Sequence, residues 1–158
     1  MISIVVAMDA NGLIGRQGTM PWHCPADLRH FRDLTLDHTV LMGRKTFSSI
    51  GFVLPKRRTL VITRDHGFQI KDERVEVHHD LHPLLHKWQK QEEVLFVAGG
   101  AEIYKEALPY AEELWISYIH GTYTGDTYFP IVSLSEFQEE KRWEKEGFTL
   151  VLYRRFHR

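Results

Sequence analysis

A buried strand, a glycine pair and a helix follow one another in VLFVAGGAEIYKEAL, which spans residues 94–108. The apolar run 94–98 has the length and composition of a strand that is covered on both faces, and the segment after Gly100 predicts a helix. The same order returns in TVLMGRKT, residues 39–46, where Gly43 separates an apolar run from the start of a helix. Two such units predict strands that alternate with helices, and therefore a sheet with parallel strands.

The rest of the chain continues this alternation. Strands are predicted at 2–8, 39–42, 58–63, 74–78, 94–98, 113–120, 137–144 and 148–156, and helices at 25–34, 44–50, 81–88 and 101–108. The last two strands are predicted as an antiparallel pair that turns near Gly147. The pattern favours the α/β class, with ligands that bind beyond the carboxyl ends of the strands.

Length and composition restrict the class of protein. The 158 residues are 43% hydrophobic, 26% charged and 12% aromatic, which is ordinary for one globular domain and excludes collagen, coiled coil and disorder. The net charge of −1 makes neither nucleic acid nor a membrane surface an expected partner. A single cysteine, Cys24, and the lack of a signal-peptide pattern predict one domain over 1–158 in the cytoplasm.

Three predicted strand ends carry residues that suit a polyanion. The pair Gly99-Gly100 lets a ligand approach the backbone where a helix begins, and a helix start favours negative charge. The segment Gly43-Arg44-Lys45-Thr46 repeats this arrangement with two cations, and Thr63-Arg64 ends the next strand. One such segment is a weak signal, but three at one edge of a sheet indicate a nucleotide.

The segment 9–24 is too long for an ordinary connection. Its three glycines lack the spacing of a dinucleotide-binding fingerprint and are typical of a mobile surface loop. Loops carry few large apolar side chains unless they close over a ligand, however, and this one contains Leu13, Ile14, Met20 and Trp22. Both interpretations are open from the residues alone.

Asp27 is the candidate for acid-base chemistry. Pro25 suits the first position of a helix, which places Asp27 in the first turn, where the helix dipole favours an acid without any function. The apolar Leu28 and Phe31 beside it favour instead a desolvated carboxyl with a raised pKa, which suits a general acid.

Ten histidines and one cysteine raise the questions of a metal site and of a nucleophile. His78, His82 and His86 are spaced by four, but the predicted helix turns its leucines inward and leaves His82 and His86 to solvent, and no H-E-x-x-H motif is present. Cys24 has no evident histidine partner and is predicted as a small buried residue. No metal is expected.

Short motifs recur along the whole chain in an order and spacing that together are specific. They are Met1-Ile2-Ser3, Ile14-Gly15, Met20-Pro21-Trp22, Pro25-Ala26-Asp27-Leu28, Phe31, Met42-Gly43-Arg44-Lys45-Thr46, Ser49-Ile50-Gly51, Leu54-Pro55, Arg57, Gly99-Gly100, Tyr104, Leu108-Pro109 and Gly125-Asp126-Thr127. In these motifs the chain resembles bacterial dihydrofolate reductase.

The resemblance implies a fold and an activity. The expected fold has a single central, mostly parallel eight-stranded sheet with flanking helices and an antiparallel C-terminal strand. The expected activity is the reduction of 7,8-dihydrofolate to 5,6,7,8-tetrahydrofolate with NADPH, without a metal, in support of one-carbon metabolism and thymidylate synthesis. A monomer that antifolate inhibitors bind is also expected.

The resemblance further assigns roles to residues. As catalytic residues it implies Asp27, which holds the pterin, Ser117, which supports that carboxylate, Met20, whose loop closes over the nicotinamide, and Trp22, which anchors the loop. The implied substrate set is Val5, Ala7, Asp27, Leu28, Phe31, Arg32, Ile50, Leu54 and Arg57, with Arg57 on the α-carboxylate of the glutamate tail. The implied cofactor set is Ala7, Ile14, Gly43, Arg44, Lys45, Thr46, Ser49, Thr63, Arg64, Ala98, Gly99, Gly100, Ala101, Glu102, Ile103, Tyr104 and Thr127. Within it, Arg44, Thr63 and Arg64 take the adenosine 2′-phosphate.

Some positions depart from the family pattern. Phe52-Val53 replaces the commoner Arg-Pro, and Lys56 replaces a glycine, which affects the outer grip on the glutamate tail. Glu102 stands where some relatives use arginine near the cofactor phosphates. The connection around 144–147 is short, and Ser133 and Ser135 precede it too far to replace a serine that in relatives holds the loop 9–24 in an occluded form. Asp126, which supports the closed form, is present, so product complexes are predicted to keep the closed loop.

Two alternatives to this reductase remain from the residues. One is an NADPH-dependent enzyme of the related fold that reduces another pterin or a pyrimidine, and the other is a non-catalytic binding module. Asp27 and Arg57 together favour a pterin with a glutamate tail, because only such a ligand needs both. A module that merely binds a ligand has no need of a proton donor such as Asp27.

Overall fold

The computed structural model describes residues 1–130 and 134–156. Its strands are β1 (Ile2–Met8), β2 (Leu13–Gly15), β3 (Thr39–Gly43), β4 (Arg58–Ile62), β5 (Val75–His78), β6 (Leu95–Val97), β7 (Ala111–Ile119), β8 (Thr127–Tyr128), β9 (Phe137–Lys145) and β10 (Phe148–Arg155). Its α-helices are α1 (Pro25–Thr35), α2 (Arg44–Ile50), α3 (Leu81–Gln89) and α4 (Ala101–Ala107), and short 3₁₀ turns occupy Leu108–Tyr110 and Leu134–Glu136. None of the helices in this part of the chain is long and apolar enough to cross a bilayer.

Eight of the strands form one sheet in the order β5-β4-β3-β6-β1-β7-β10-β9. The first six of these strands in that order pair in parallel. The strand β10 runs antiparallel to both β7 and β9. The predicted α/β fold, with a mostly parallel eight-stranded sheet and an antiparallel C-terminal strand, is confirmed.

The two faces of the sheet carry different helices because side chains alternate along each strand. On β3, Leu41 belongs to the core that α3 and α4 cover. Its neighbours Val40 and Met42 point to the other face and pack with Phe31 of α1 and Phe47 of α2. Apolar side chains therefore point to both faces of the sheet, and both faces are buried. The helices α1 and α2 lie together on one face.

The segment 9–24 contains a strand that the sequence does not predict. Leu13 is fully buried, and Leu13–Gly15 forms an antiparallel ladder with Thr127–Tyr128. Strands of three and two residues are too short to show an alternating pattern, so this pairing is set by tertiary contacts. The predicted strand at 113–120 also begins two residues earlier than expected, at Ala111. Ser133 lies outside the described residues.

The carboxyl ends of the parallel strands bring the two glycine segments together. The Gly43 N–H donates to the Gly99 carbonyl at 2.9 Å, and the peptide bond between Gly99 and Gly100 is cis. Gly99 has φ 125°, a conformation that side chains other than glycine rarely adopt. The edge of the sheet that was expected to bind a ligand is therefore one continuous surface.

Candidate active site

Asp27 provides a buried carboxyl on α1. Its backbone N–H donates to the Cys24 carbonyl at 3.1 Å in the turn that Pro25 opens. Asp27 is only 8% exposed while the neighbouring Leu28 is 50% exposed, so the helix turns the carboxyl inward rather than the leucine. Burial raises the pKa of Asp27, as the sequence predicts, and a hydrogen bond with Ser117 partly opposes this rise. The carboxyl is thus suited to bind a ligand that donates N–H hydrogen bonds.

Strands β1 and β7 place further groups around this carboxyl. Ala7 and Ser117 are register partners on the two strands, and Ser117 is buried. Tyr104 of α4 donates a hydrogen bond to the Val5 carbonyl at 2.9 Å. Burial and, next to it, the charge of Asp27 raise the pKa of Tyr104, so its phenol remains a neutral donor. The structure therefore brings Ser117 and Tyr104 close to the carboxyl, and it sets Ala7 and Val5 of β1 beside these two residues.

Apolar side chains of α1 and of the segment that follows α2 line a candidate groove. Phe31, Ile50 and Leu54 belong to one cluster that packs on the sheet. Leu28 and Phe52, on the same two segments, are 50% and 61% exposed. Apolar walls with an open side suit a flat aromatic ligand. The departure at Phe52 makes the outer part of this groove more apolar.

Arg57 is a buried cation without an acidic partner among the described residues. Its Nε donates to the Pro55 carbonyl at 3.0 Å, and its Nη1 donates to the Thr35 hydroxyl at 3.2 Å. The Thr35 hydroxyl in turn donates to the Phe31 carbonyl at 2.8 Å. Burial, and secondly the charge of Arg32, lower the pKa of Arg57 from its usual value. A guanidinium held in this way fits the carboxylate of a ligand.

Sequence reasoning missed Thr35. It lies three residues after Arg32, just under one turn, and eight residues after Asp27, just over two turns along α1. A threonine near a helix end carries no signal of its own. Arg32, which the sequence placed in the substrate set, is exposed and pairs with Asp33 at 3.1 Å. Its role toward a substrate stays a prediction.

The loop 9–24 is held at two points by hydrogen bonds to residues outside it. The Ser49 hydroxyl of α2 donates to the Gly18 carbonyl at 3.0 Å. On the other side, the Gln17 N–H donates to Asp126 Oδ2 at 3.1 Å, and this bond lowers the pKa of the Asp126 carboxyl. The contact of Ser49 with Gly18 was not predicted from sequence, because it joins an exposed hydroxyl to a backbone carbonyl 31 residues away.

Other predicted loop residues lie on both sides of these contacts. Met20 is 46% exposed, whereas Trp22 is buried and meets the Tyr123 ring edge-to-face at 5.5 Å. Ile14 and Thr127 lie in the paired strands β2 and β8. The loop is therefore anchored on both sides of Met20, by Gly18 before it and by Trp22 after it, while the methionine itself stays accessible.

The glycine segments form a narrow polar cradle. A Cβ on Gly99 would lie 3.4 Å from the Tyr104 hydroxyl and 3.5 Å from Thr46 Oγ1, and a Cβ on Gly100 would also lie 3.5 Å from Thr46 Oγ1. A Cβ on Gly43 would lie 3.4 Å from Ile103 Cγ1. Side chains at these glycines would fill the space in which a phosphate group could approach the protein backbone. Other residues of the predicted cofactor set lie next to these glycines. Ala98 follows β6, Lys45 lies in the first turn of α2, and Ala101 and Glu102 lie in the first turn of α4.

Cations at the edge of the cradle are free of acidic partners. Within residues 1–130 and 134–156, Arg44, Lys45 and Arg64 are exposed and form no ion pair. The Thr63 hydroxyl oxygen accepts the Asp65 N–H at 3.1 Å, which leaves the hydroxyl proton available to a ligand. This donor set fits phosphate groups. Glu102 is exposed in the first turn of α4 and supplies no such charge.

The remaining candidates do not form a second centre. Cys24 is buried and His82 and His86 are exposed, as predicted. Among the described residues, no group of three or more histidine, cysteine or acidic side chains has the arrangement of a metal site.

Comparison with known proteins assigns the family. The dihydrofolate reductase family model matches residues 1–153. The chain belongs to the dihydrofolate reductase family. Dihydrofolate reductase type 3 of Salmonella typhimurium is 44% identical over 142 residues, which cover 90% of this chain and 86% of that protein. The dihydrofolate reductase of Bacillus subtilis is 42% identical over 146 residues, 91% of this chain and 80% of that protein.

A solved dihydrofolate reductase has the same fold. The enzyme from Enterococcus faecalis complexed with NADP(H) and RAB-propyl matches with a TM-score of 0.88 and 33% identity, over 98% of this chain and 96% of that one. The family, the oxidoreductase class and the dependence on NADPH that the sequence predicts are confirmed.

Proposed function

We propose that this chain reduces 7,8-dihydrofolate to 5,6,7,8-tetrahydrofolate with NADPH, and that Asp27 holds and protonates the pterin. The observation that carries the proposal is a pair of buried charged groups, Asp27 and Arg57, which have no ion-pair partner among the described residues. Thr35, which holds Arg57, follows Asp27 by eight residues on α1, about 12 Å along the helix axis. A pterin with a glutamate tail carries donors at one end and a carboxylate at the other, so it satisfies both.

Asp27 serves the proton chemistry of the reaction. Hydride addition at C6 of the pterin requires a proton at N5, and an acid in a dry site supplies it most effectively when its pKa is near the working pH. Burial moves the pKa of Asp27 in this direction. The Ser117 hydroxyl orients the carboxyl without adding a charge that would lower its pKa further.

The groove supplies alignment. Phe31, Ile50 and Leu54 hold the flat ring system and exclude water, while Arg57 holds the α-carboxylate of the tail. The Met20 loop, held by Ser49 and Asp126, closes the open side. When bound, NADPH supplies the hydride.

The glycine cradle and its cations fit NADPH. The backbone at Gly43 and at Gly99-Gly100 leaves room for the pyrophosphate beside Thr46. Arg44, Arg64 and the Thr63 hydroxyl are assigned to the 2′-phosphate, which is the group that distinguishes NADPH from NADH.

The wider setting is proposed from the sequence. The chain is assigned one domain over 1–158 that acts as a monomer in the cytoplasm, without nucleic acid or membrane partners. The net charge of −1 and the single cysteine support this assignment. Light scattering after size exclusion tests the monomer: a mass near 18.6 kDa is expected, and a mass near twice that value contradicts it.

The loss of NADPH absorbance on addition of dihydrofolate tests the activity. We expect turnover with dihydrofolate and a much higher KM with a dihydropterin that lacks the glutamate tail. Equal KM values for both substrates would favour a reductase of another pterin, since Arg57 would then have no ligand. No turnover with either substrate would refute the proposal.

A further inference from the structure

The turn 9–13, which joins β1 to β2, contains the only asparagine of the chain, Asn11, directly before Gly12. The side chain of Asn11 is exposed, and no group in the described part of the chain forms a hydrogen bond with its amide. Gly12 has φ 82°, a conformation that other residues rarely adopt, although a Cβ at this position would meet nothing within 4 Å. The backbone of the turn therefore favours glycine, and this glycine leaves the peptide nitrogen after Asn11 sterically open.

Asp9 restrains this turn. Its Oδ1 accepts the N–H groups of Asn11 and Leu13, both at 2.9 Å. Its backbone carbonyl accepts the Gly12 N–H at 3.0 Å, and its backbone N–H donates to the Leu13 carbonyl at 3.0 Å. Asp9 is 1% exposed, and its Oδ2 has no hydrogen-bond partner among the residues that the structure describes. While the turn is intact, the Gly12 N–H is thus directed to the Asp9 carbonyl.

We propose that Asn11 is a site of spontaneous deamidation, which the Asp9 turn slows and which weakens the attachment of the loop 9–24 once it has occurred. Asparagine is one of the thermolabile residues of proteins. When the turn opens, the Gly12 nitrogen attacks Cγ of Asn11, and the bond from Cγ to the side-chain nitrogen breaks. That nitrogen leaves as ammonia with the proton of the Gly12 N–H, and a succinimide ring remains. One water molecule opens the ring at either carbonyl carbon and yields aspartate or isoaspartate. Water is the only co-reactant, and nothing is oxidised or reduced.

Isoaspartate alters the backbone of the turn. The chain then runs through Cγ of residue 11, which adds one carbon atom between the two N–H groups that Asp9 Oδ1 accepts, so the two bonds cannot both keep their geometry. The new carboxylate also adds a negative charge near the buried carboxylate of Asp9, which already lacks one partner. Both changes destabilise the turn.

The turn is joined to the segment that holds the loop 9–24. The Gly12 carbonyl accepts the Phe129 N–H at 2.8 Å, and Leu13–Gly15 pairs with Thr127–Tyr128. Asp126, the residue before this ladder, accepts the Gln17 N–H of the loop. A displaced turn therefore weakens the attachment of the loop at Asp126. The effect on turnover rests on the proposed function, whereas the modification itself does not.

Peptide mapping of the aged full chain tests the modification. The native chain, Asn11→Ser and Asp9→Ala are incubated at pH 8 for several weeks and then digested with trypsin. The tryptic peptide 1–16 contains Asn11 and no glutamine, so a mass increase from the exchange of an amide NH₂ for a hydroxyl assigns the modification to this residue. Electron-transfer fragmentation distinguishes isoaspartate from aspartate. Thermal unfolding verifies that each fresh variant is folded, and Asp9→Ser, which keeps one acceptor, replaces Asp9→Ala if the latter does not fold.

We expect isoaspartate, mixed with aspartate, at position 11 of the aged native chain. Asp9→Ala should convert about tenfold faster or more, because the loss of two hydrogen bonds eases the opening of the turn. The modified chain is separated by anion exchange through its added negative charge. It should turn over dihydrofolate about two- to tenfold more slowly than the fresh chain, which is the effect of about one hydrogen bond on a population. Asn11→Ser should keep the mass of peptide 1–16 and its turnover throughout, which excludes oxidation or unfolding as the cause.

Three results overturn the inference. An unchanged mass of peptide 1–16 in the aged native chain excludes Asn11 as a modification site. Equal conversion rates in the native chain and in Asp9→Ala show that the turn does not slow the reaction. Unchanged turnover of the modified chain shows that the loop does not depend on the turn. If neither the fresh nor the modified chain reduces dihydrofolate, the proposed function fails, while the mass of the peptide still decides whether Asn11 is modified.

Discussion

Replacement of Asp27 by asparagine should cripple the reaction and stabilise the fold. Asparagine has nearly the same shape, and its amide oxygen can keep a hydrogen bond with the Ser117 hydroxyl. The substitution therefore removes the charge and the proton of a side chain that is only 8% exposed. Loss of a positioned acid typically lowers the rate by ~10²–10⁴. Replacement of an active-site group that is not optimal for stability commonly raises the free energy of unfolding by about 0.5–2 kcal/mol.

The stability difference should depend on pH in one direction. Burial raises the pKa of Asp27 in the folded protein, so the protonated carboxyl stabilises the fold at low pH and this contribution is lost as the pH rises through the folded pKa. At neutral pH the native protein keeps a buried charge that Asp27→Asn lacks. Below about pH 3.9, the usual value of aspartate, both proteins are uncharged here and the difference should vanish.

Two measurements follow the substitution. Thermal unfolding at pH 7 should show a Tm higher by about 1–8 °C, since 1 kcal/mol shifts a chain of this size by about 2–4 °C. Single-turnover rates with dihydrofolate should be low at pH 7 and recover in part at low pH, where solvent protonates the substrate. Asp33→Asn, on the exposed face of the same helix, is the matched control and should leave the rate unchanged.

Either of two outcomes would refute this reasoning. A near-normal single-turnover rate at pH 7 in Asp27→Asn would remove Asp27 from the chemistry. A Tm of Asp27→Asn below that of the native protein at pH 7 would show that the buried charge does not destabilise the fold. An increase in Tm that persists unchanged to pH 4 would show the same.

Four further outcomes are expected. Substitution of Arg44 and Arg64 by alanine should raise the KM of NADPH far more than that of NADH, since each charge-assisted bond contributes about 1.5–3 kcal/mol; equal effects on both cofactors would contradict the assignment. Arg57→Lys should raise the KM of dihydrofolate about tenfold or more but leave a tail-less pterin unaffected, because lysine loses the bidentate geometry. Crystals or exchange NMR of the product complex should show the closed Met20 loop, held at Asp126, and a predominantly occluded loop would overturn this prediction. In the same complex, Ser49→Ala should shift the loop population severalfold away from the closed form, as the loss of a bond of about 0.5–1.5 kcal/mol requires, and unchanged exchange would exclude the contact as a support.

Much of the fold could be predicted because its strands are buried on both faces. Runs such as 39–42 and 94–98 are apolar throughout, and glycines mark their ends. The two-stranded ladder of β2 and β8 could not be predicted, because its segments are short and pair only when Leu13 enters the core. The pairing register of the strands could not be predicted either, because no short stretch of sequence indicates which residue of another strand it will pair with.

The candidate site divides in the same way. Asp27 was visible as an acid beside apolar residues in the first turn of a helix, and Gly43 and the pair Gly99-Gly100 were visible at the strand ends. Arg57, in contrast, shows in the sequence only as one of three cations in a row, and its burial against Thr35 appears only when the chain is folded.

The residues of this chain therefore specify the α/β alternation, the glycine turns and the kinds of chemistry that are available, because each of these depends on neighbours within a few positions. Folding specifies which of the candidates meet. The helix α1 carries Asp27 inward and leaves Leu28 outside, and parallel pairing sets His79 beside Thr63, 16 residues away in the chain. Such contacts join segments that are distant in sequence, and the free energy that selects them comes from burial of the whole core rather than from any local pattern.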